Sequence, residues 1–294
     1  MKYSIAAGIG KGIAKFTTYG KKYGVEWWIL VAGAGIILAI IGMAIFADAI
    51  APYSPHDQNA GPQLVPPGGK HLLGTDNLQR DVWSRMVFGS QTILRISVLA
   101  AILSFGVGVP LGLVSGFTGG MLDKILSLVM DSIYSFPGLI LAIAFAAMLG
   151  PGVINITLAV AVVYIPTYFR LVRGQTLTIK EELYVEAARA IGATKTTTLV
   201  QYIFPNTIAT IVVVFTMNVA DAIMIEAALT YLGLGLPPSV VDWGMDLSMG
   251  KKYLPSGQWW LITFPGAMIS LLALGFTMLG EGLAEILNPR LLEH

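Results

Sequence analysis

The chain has no cysteine, only three histidines among its 294 residues, and charged side chains at 12% of positions. Without cysteine there are no disulfides, no zinc–thiolate sites and no cysteine nucleophile. The histidines stand at 56, 71 and 294, and no H-E-x-x-H pair exists to hold a catalytic metal. Soluble domains carry about 25% charged residues, so the shortage of charge excludes an ordinary soluble domain. A formal net charge of +1 leaves no basic excess to neutralise phosphates, which argues against a nucleic-acid partner. A nucleotide loop is missing too. The stretch 244–252, GMDLSMGKK, comes nearest, but five residues separate Gly244 from Gly250 and Lys252 stands where Ser or Thr is required. Catalysis and a resident cofactor are therefore not expected in this chain.

What is present is apolar sequence, 55% of the residues, with a mean hydropathy of +0.73. It falls in runs at 29–46, 93–113, 126–149, 153–171, 207–232 and 260–280. With flanking residues each approaches the ~20 needed to cross a bilayer as a helix. The pattern predicts an all-α, polytopic membrane protein with six transmembrane helices. Residues 1–26 form a separate leader, with Lys2, Lys11, Lys15, Lys21 and Lys22 against the single acid Glu26. Interspersed glycines make it at best a loose interfacial helix. Trp27 and Trp28 then anchor the membrane boundary. The first apolar run exceeds the ~7–15 residues of a signal-peptide core, so despite Ala47-Asp48-Ala49 it is expected to stay as the first span.

The basic residues set the orientation. With the N-terminus inside, the leader, the 114–125 turn, the polar 170–206 stretch and the C-terminal tail hold 12 of the 18 Lys and Arg. That obeys the positive-inside rule and places both termini in the cytoplasm. Segment 48–90, polar and rich in Pro and Gly, then lies outside. His71, Asp76 and Asp81 within it lack the spacing that would join them on a helix, so loop hydrogen bonding is expected rather than a metal site. Ionisable residues well inside the spans are few: Arg95, Asp131, Asp221 and Glu226. Such groups face a partner or a water-filled cavity, and the three acids are candidates for either the pathway or helix packing. Asp221 and Glu226 stand five apart, about 140° around one helix, and need not share a face.

One polar stretch, 178–206, lies between the fourth and fifth spans. Thr178 and Glu181 have the form of a capping box. Gly192 stands where a left-handed residue would end the helix, Thr194 is placed to cap the next, and Pro205 suits the first turn of the fifth span. The expected shape is a helix–glycine–helix hook. Two alanines, Ala187 and Ala188, give it a shallow face, and Glu186 and Arg189 offer charges to a partner.

Glu186-Ala187-Ala188, then Gly192, then Ile203-Phe204-Pro205 resembles the EAA loop of ABC importer permeases. The segment His71-Leu72-Leu73-Gly74-Thr75-Asp76 with Arg80-Asp81 resembles the external segment of the dipeptide/oligopeptide C-type subunits, with Gln79 where that family usually has glycine. Leu232-Gly233-Leu234-Gly235, Pro237-Pro238 and Trp243-Gly244 extend the likeness, as do Glu226-Ala227-Ala228-Leu229-Thr230 and Asn288-Pro289-Arg290-Leu291, where asparagine replaces the usual aspartate. The resemblance covers about 27 to the end. It implies a permease domain over 27–294 in the cell membrane, with external segment 48–90 and coupling loop 178–206. Glu186, Ala187, Ala188, Arg189, Gly192 and Pro205 would couple it to an ATPase. The expected partners are a second permease subunit forming a heterodimer, two cytoplasmic ATPases that bind ATP and magnesium, and an extracytoplasmic substrate-binding protein. Dipeptides or oligopeptides are the implied cargo; nickel, glutathione and oligosaccharides are carried in the same family. The rival from another class is an ion-coupled secondary transporter using Asp221 and Glu226, which the lack of an obvious inverted repeat weighs against.

The orientation is checked with introduced cysteines. Ser54→Cys is expected to react with a membrane-impermeant thiol reagent in intact cells, over no native background. Reaction only after permeabilisation would invert the topology.

Overall fold

The computed structural model describes residues 2–287, with side chains from residue 23 onward. The motif at Asn288-Pro289-Arg290-Leu291 lies outside the described residues. Every regular element among them is helical. α1 (Lys2–Ile45) is broken at Gly24, whose φ of 61° separates the leader from the first span. α2 (Ala47–Ile50) is a single turn, followed by the irregular 51–81 segment and α3 (Val82–Thr118). α4 (Gly120–Tyr134), α5 (Gly138–Leu149) and α6 (Val153–Ile179) complete the first half. α7 (Leu183–Ala190) is the hook helix. α8 (Lys195–Thr197), a π-helical turn at Thr198–Ile203, and α9 (Phe204–Tyr231) run on as one 37-residue helix. α10 (Trp243–Gly250) and α11 (Trp260–Ile286) close the chain, joined by a 3₁₀ turn.

Among the described residues five helices are long and apolar enough to cross a membrane, and the bent pair α4 and α5 makes a sixth when taken as one broken span. The break falls in the third, where α4 and α5 meet at 91°. Pro137 explains it. Its ring disfavours helical backbone at Phe136, and it lacks the N–H that would continue the ladder. The arms of 15 and 12 residues rise roughly 22 and 18 Å, so neither alone crosses a ~30 Å hydrocarbon core. A bend at that depth is tolerated where it is buried in protein or lines a cavity.

Between lipid-facing helices there is little hydrophobic drive to associate, so close backbone approach has to do it. α3 supplies a stripe one turn apart, Gly108, Gly112 and Gly116, laid on α6. A Cβ at these three would come within 2.6–2.8 Å of the carbonyl oxygens of Ile165, Phe169 and Arg173. α1 and α11 repeat the device: a Cβ at Gly33 would reach the Gly275 carbonyl at 2.7 Å, and one at Gly282 would strike Leu30. Three apolar clusters fill the remaining space, and α3 and α9 contribute to all of them. Trp243 of α10 is fully buried in one, its indole N–H donating to the Met86 carbonyl at 2.9 Å.

α3 begins beside α10 and ends beside α7, so the 48–90 segment and the hook occupy opposite ends of the bundle. Gly112→Ala is expected to lower stability in detergent by about 1–3 kcal/mol through overpacking. Gly106→Ala, where a Cβ meets nothing within 4 Å, should be neutral or stabilising. Equal melting temperatures for the two variants would show that the α3–α6 approach is not tight.

Candidate functional site

The hook is built around one turn. α7 ends with Gly192 at φ 96°, the Gly192 N–H donating to the Arg189 carbonyl and the Ala193 N–H to the Ala188 carbonyl, each at 3.0 Å. That is a Schellman ending, which needs a residue at ease with positive φ. Thr194 then caps the next helix, its Oγ1 accepting from the Thr197 N–H at 3.2 Å, and Pro205 sits in the first turn of α9. The capping box at Thr178 and Glu181 does not form. Thr178 still belongs to α6, where its hydroxyl donates back to the Gly174 carbonyl, and α7 starts after Glu182 instead.

α7 turns Val185 and Ala188 inward, both buried, and leaves Glu186 and Ala187 exposed. Arg189 is exposed, and its guanidinium lies 5.4 Å from the Phe117 ring at the end of α3. Around these residues stand two large apolar side chains open to solvent, Leu183 at 80% and Ile191 at 85% exposure. The Tyr184 phenol is held above its ordinary pKa by partial burial and the nearby Glu182 carboxylate, so it stays neutral. The hook thus presents an apolar and acidic surface on a rigid turn.

The three intramembrane acids separate into different settings. Asp131 of α4 accepts from Arg170 of α6 at 2.7 and 3.0 Å, and that guanidinium also stacks 4.1 Å over Tyr134. The pair ties α4 to α6. Asp221 is exposed on α9 and lines a cavity at the α4–α5 elbow. Glu226, one and a half turns on, is fully buried and faces Asp242, the N-cap of α10. Asp242 accepts from the Met245 N–H through one oxygen; its other oxygen and both of Glu226 have no hydrogen-bond partner.

At the other end, the 48–90 segment is tied down by charge. Asp81 caps α3, accepting from the Ser84 N–H at 2.8 Å, and stands 2.9 Å from His71 Nδ1, which makes that nitrogen the donor. Asp76 takes Arg80 through both its backbone N–H and its guanidinium. His71, Asp76 and Asp81 are therefore engaged in loop hydrogen bonds. Arg85 reaches from α3 to Asp246 of α10, with Nε at 2.9 Å, and also donates to the Pro55 carbonyl. Gln79 adopts φ 62°, the left-handed region that glycine occupies without strain.

Residues 108–293 match the family model for the binding-protein-dependent transport system inner membrane component. The chain belongs to this family. Residues 29–67 of this inner membrane component also match the N-terminal transmembrane domain of oligopeptide transport permease C. It is 36% identical to the probable D,D-dipeptide transport system permease protein of Escherichia coli strain K12, over 89% of this chain and 88% of that protein. A dipeptide transport system permease protein of Alkalihalophilus pseudofirmus is 35% identical, over 90% and 86%. A glutathione transport system permease protein of Pectobacterium atrosepticum is 36% identical, over 90% and 87%.

Sequence reasoning missed two features of this inner membrane component. Arg173 clamps Asp123 with both guanidinium arms, Nη2 at 2.7 Å, one turn from the Arg170–Asp131 pair. Acids eight apart on α4 and arginines three apart on α6 were the available signal. The Arg85–Asp246 pair spans 161 residues and left no local signal.

The Glu226–Asp242 contact generates a stability prediction. In Glu226→Gln the amide can donate to the unpartnered Asp242 oxygen, so the stability in detergent should hold or rise, by up to about 1–3 kcal/mol. Glu226→Leu, which leaves that oxygen against hydrocarbon, should lower it. A Gln variant less stable than the Leu variant would rule out facing carboxyls.

Proposed function

We propose that this chain forms half of the translocation pathway of an ATP-driven peptide importer, with α7 as the element that a partner ATPase grips. The observation that carries this is the hook. Leu183 and Ile191 expose large apolar surfaces on either side of Glu186 and Ala187, on a helix whose ending is fixed by Gly192. Exposed apolar side chains on a rigid turn outside the spans suit burial in a protein cleft. In this reading Ala188 and Arg189 seat α7 against its own bundle, and Pro205 starts the span that the hook moves. The lysine and arginine bias supports an inner-face orientation, with the hook and both termini on the cytoplasmic side of the cell membrane.

ATP and magnesium would be bound by two cytoplasmic ATPase subunits, and this chain would contribute no catalytic residue. A second permease subunit would complete the pathway, and an external binding protein would deliver the cargo onto the 48–90 face. Three relatives are named for the transport of small peptides, D,D-dipeptides, dipeptides and glutathione, which supports that cargo class here. Closure of the ATPases would push α7, and the push would reach the spans through Val185 and Ala188 and through the continuous helix beginning at Lys195.

The test uses the assembled complex in proteoliposomes. A Cβ at Gly192 has open space around it, so Gly192→Val strains the turn through its φ alone, by about 1–3 kcal/mol. Uptake should fall at least about tenfold while ATP hydrolysis persists. Native uptake in the Val variant would remove the hook from the mechanism.

A further inference from the structure

The cavity at the α4–α5 elbow has a volume of about 340 Å³, within the range of small-ligand sites. Its walls include Tyr134, Phe136, Tyr164, Thr167, Asn218 and Asp221. It therefore opens between the broken third span and the fourth and fifth spans, where a bent helix is tolerated because it borders a cavity. No lysine or arginine lines it. The ion pairs found among the described residues are His71–Asp81, Arg80–Asp76, Arg85–Asp246, Arg170–Asp131 and Arg173–Asp123; none involves Asp221. Arg170, the basic side chain beside Tyr134, is already held by Asp131.

Asp221 therefore presents a carboxylate in mid-span with no countercharge among the described residues. An acid at that depth is expensive unless it faces a partner or a water-filled path. Asn218, one turn before it on α9, is 3% exposed, and its side-chain nitrogen has no hydrogen-bond partner. Tyr164 lines the same cavity, and its ring offers an aromatic face, which attracts cations. A lone carboxylate, polar donors and aromatic walls suit a ligand carrying one positive group and a short polar body.

We propose that Asp221, with Asn218 and Tyr164, forms a transient binding site for the ammonium group of the cargo as it crosses the membrane. This rests on the importer reading and deepens it: the cargo class becomes small peptides with a free amino terminus, read inside the membrane as well as by a binding protein outside. Asp221 acts as a passing countercharge. The cavity wall it shares with the α4–α5 elbow lets the site open or narrow as the broken span shifts against α6.

The test exploits the absence of native cysteine. Thr167→Cys places a single thiol in the cavity wall of the assembled complex. Its reaction with a trimethylammonium methanethiosulfonate should exceed that with the sulfonate reagent about tenfold, after correction for their reactivity toward a free thiol. Asp221→Asn should bring the two rates to parity, and Asp221→Glu should retain the difference. Trialanine should slow labelling when Asp221 is present, and N-acetyl-trialanine should not. A ratio unchanged in Asp221→Asn, equal protection by both peptides, or no reaction with either reagent would overturn the site. Failure of the importer reading looks different: the complex with the native chain would show no ATP-dependent uptake, while the thiol rates would still report the charge of the cavity.

Discussion

The close contact of α3 with α6 is the constraint on which the rest of the molecule depends. In lipid, apolar side chains gain little by meeting one another, so helices hold together where their backbones can touch. Gly108, Gly112 and Gly116 remove every side chain from one stripe of α3, and α6 rests on it through its own carbonyls. The contact fixes the separation of the two helices over those two turns of α3. α3 is 37 residues long, roughly 55 Å. It therefore reaches from the charged network around Asp81 and Arg85 at one end to Phe117, beneath Arg189 of the hook, at the other. Both ends take their positions from one rod.

Charge is used sparingly and for separate purposes. On α6, Arg170 and Arg173 hold α4 through Asp131 and Asp123, so the first arm of the broken span is tied by ion pairs rather than by burial. Met130 is the only buried side chain of α4. An arm fixed by two polar clamps and little packing can tilt against α6 without opening the glycine contact beside it. The tight contact and the loose one lie on the same helix, α6, and that division separates what must stay from what can move.

Local features were legible in the sequence, and long-range ones were not. Gly192, Thr194 and Pro205 are read correctly because a positive φ, a cap and a first-turn proline are each decided within a few residues. The Thr178–Glu181 pattern misleads for the same reason: the letters suit a cap, but α6 runs on to Ile179 and uses the hydroxyl itself. Pro137 announces a break in the third span without giving its 91° angle, which depends on what α4 and α5 pack against. Asp131, Asp221 and Glu226 look alike in sequence. Their settings differ because Arg170, an open cavity and Asp242 reach them from other elements. Of the residues proposed to couple, Arg189 is the one whose neighbour, Phe117 at the end of α3, no local pattern could supply.

The π-helical turn at Thr198–Ile203 sets the phase of everything that follows it. Such a turn holds one residue more than an α-turn, and each residue advances a helix by about 100°. It lies between the hook and the membrane part of the same continuous helix. Regularising it by losing one residue would leave Thr194 and Gly192 where they are and rotate all of α9 by that angle. Asp221 would swing off its cavity and Glu226 away from Asp242 in the same movement. The extra residue acts as a vernier, aligning the face of the span with a hook that is held independently by the end of α3.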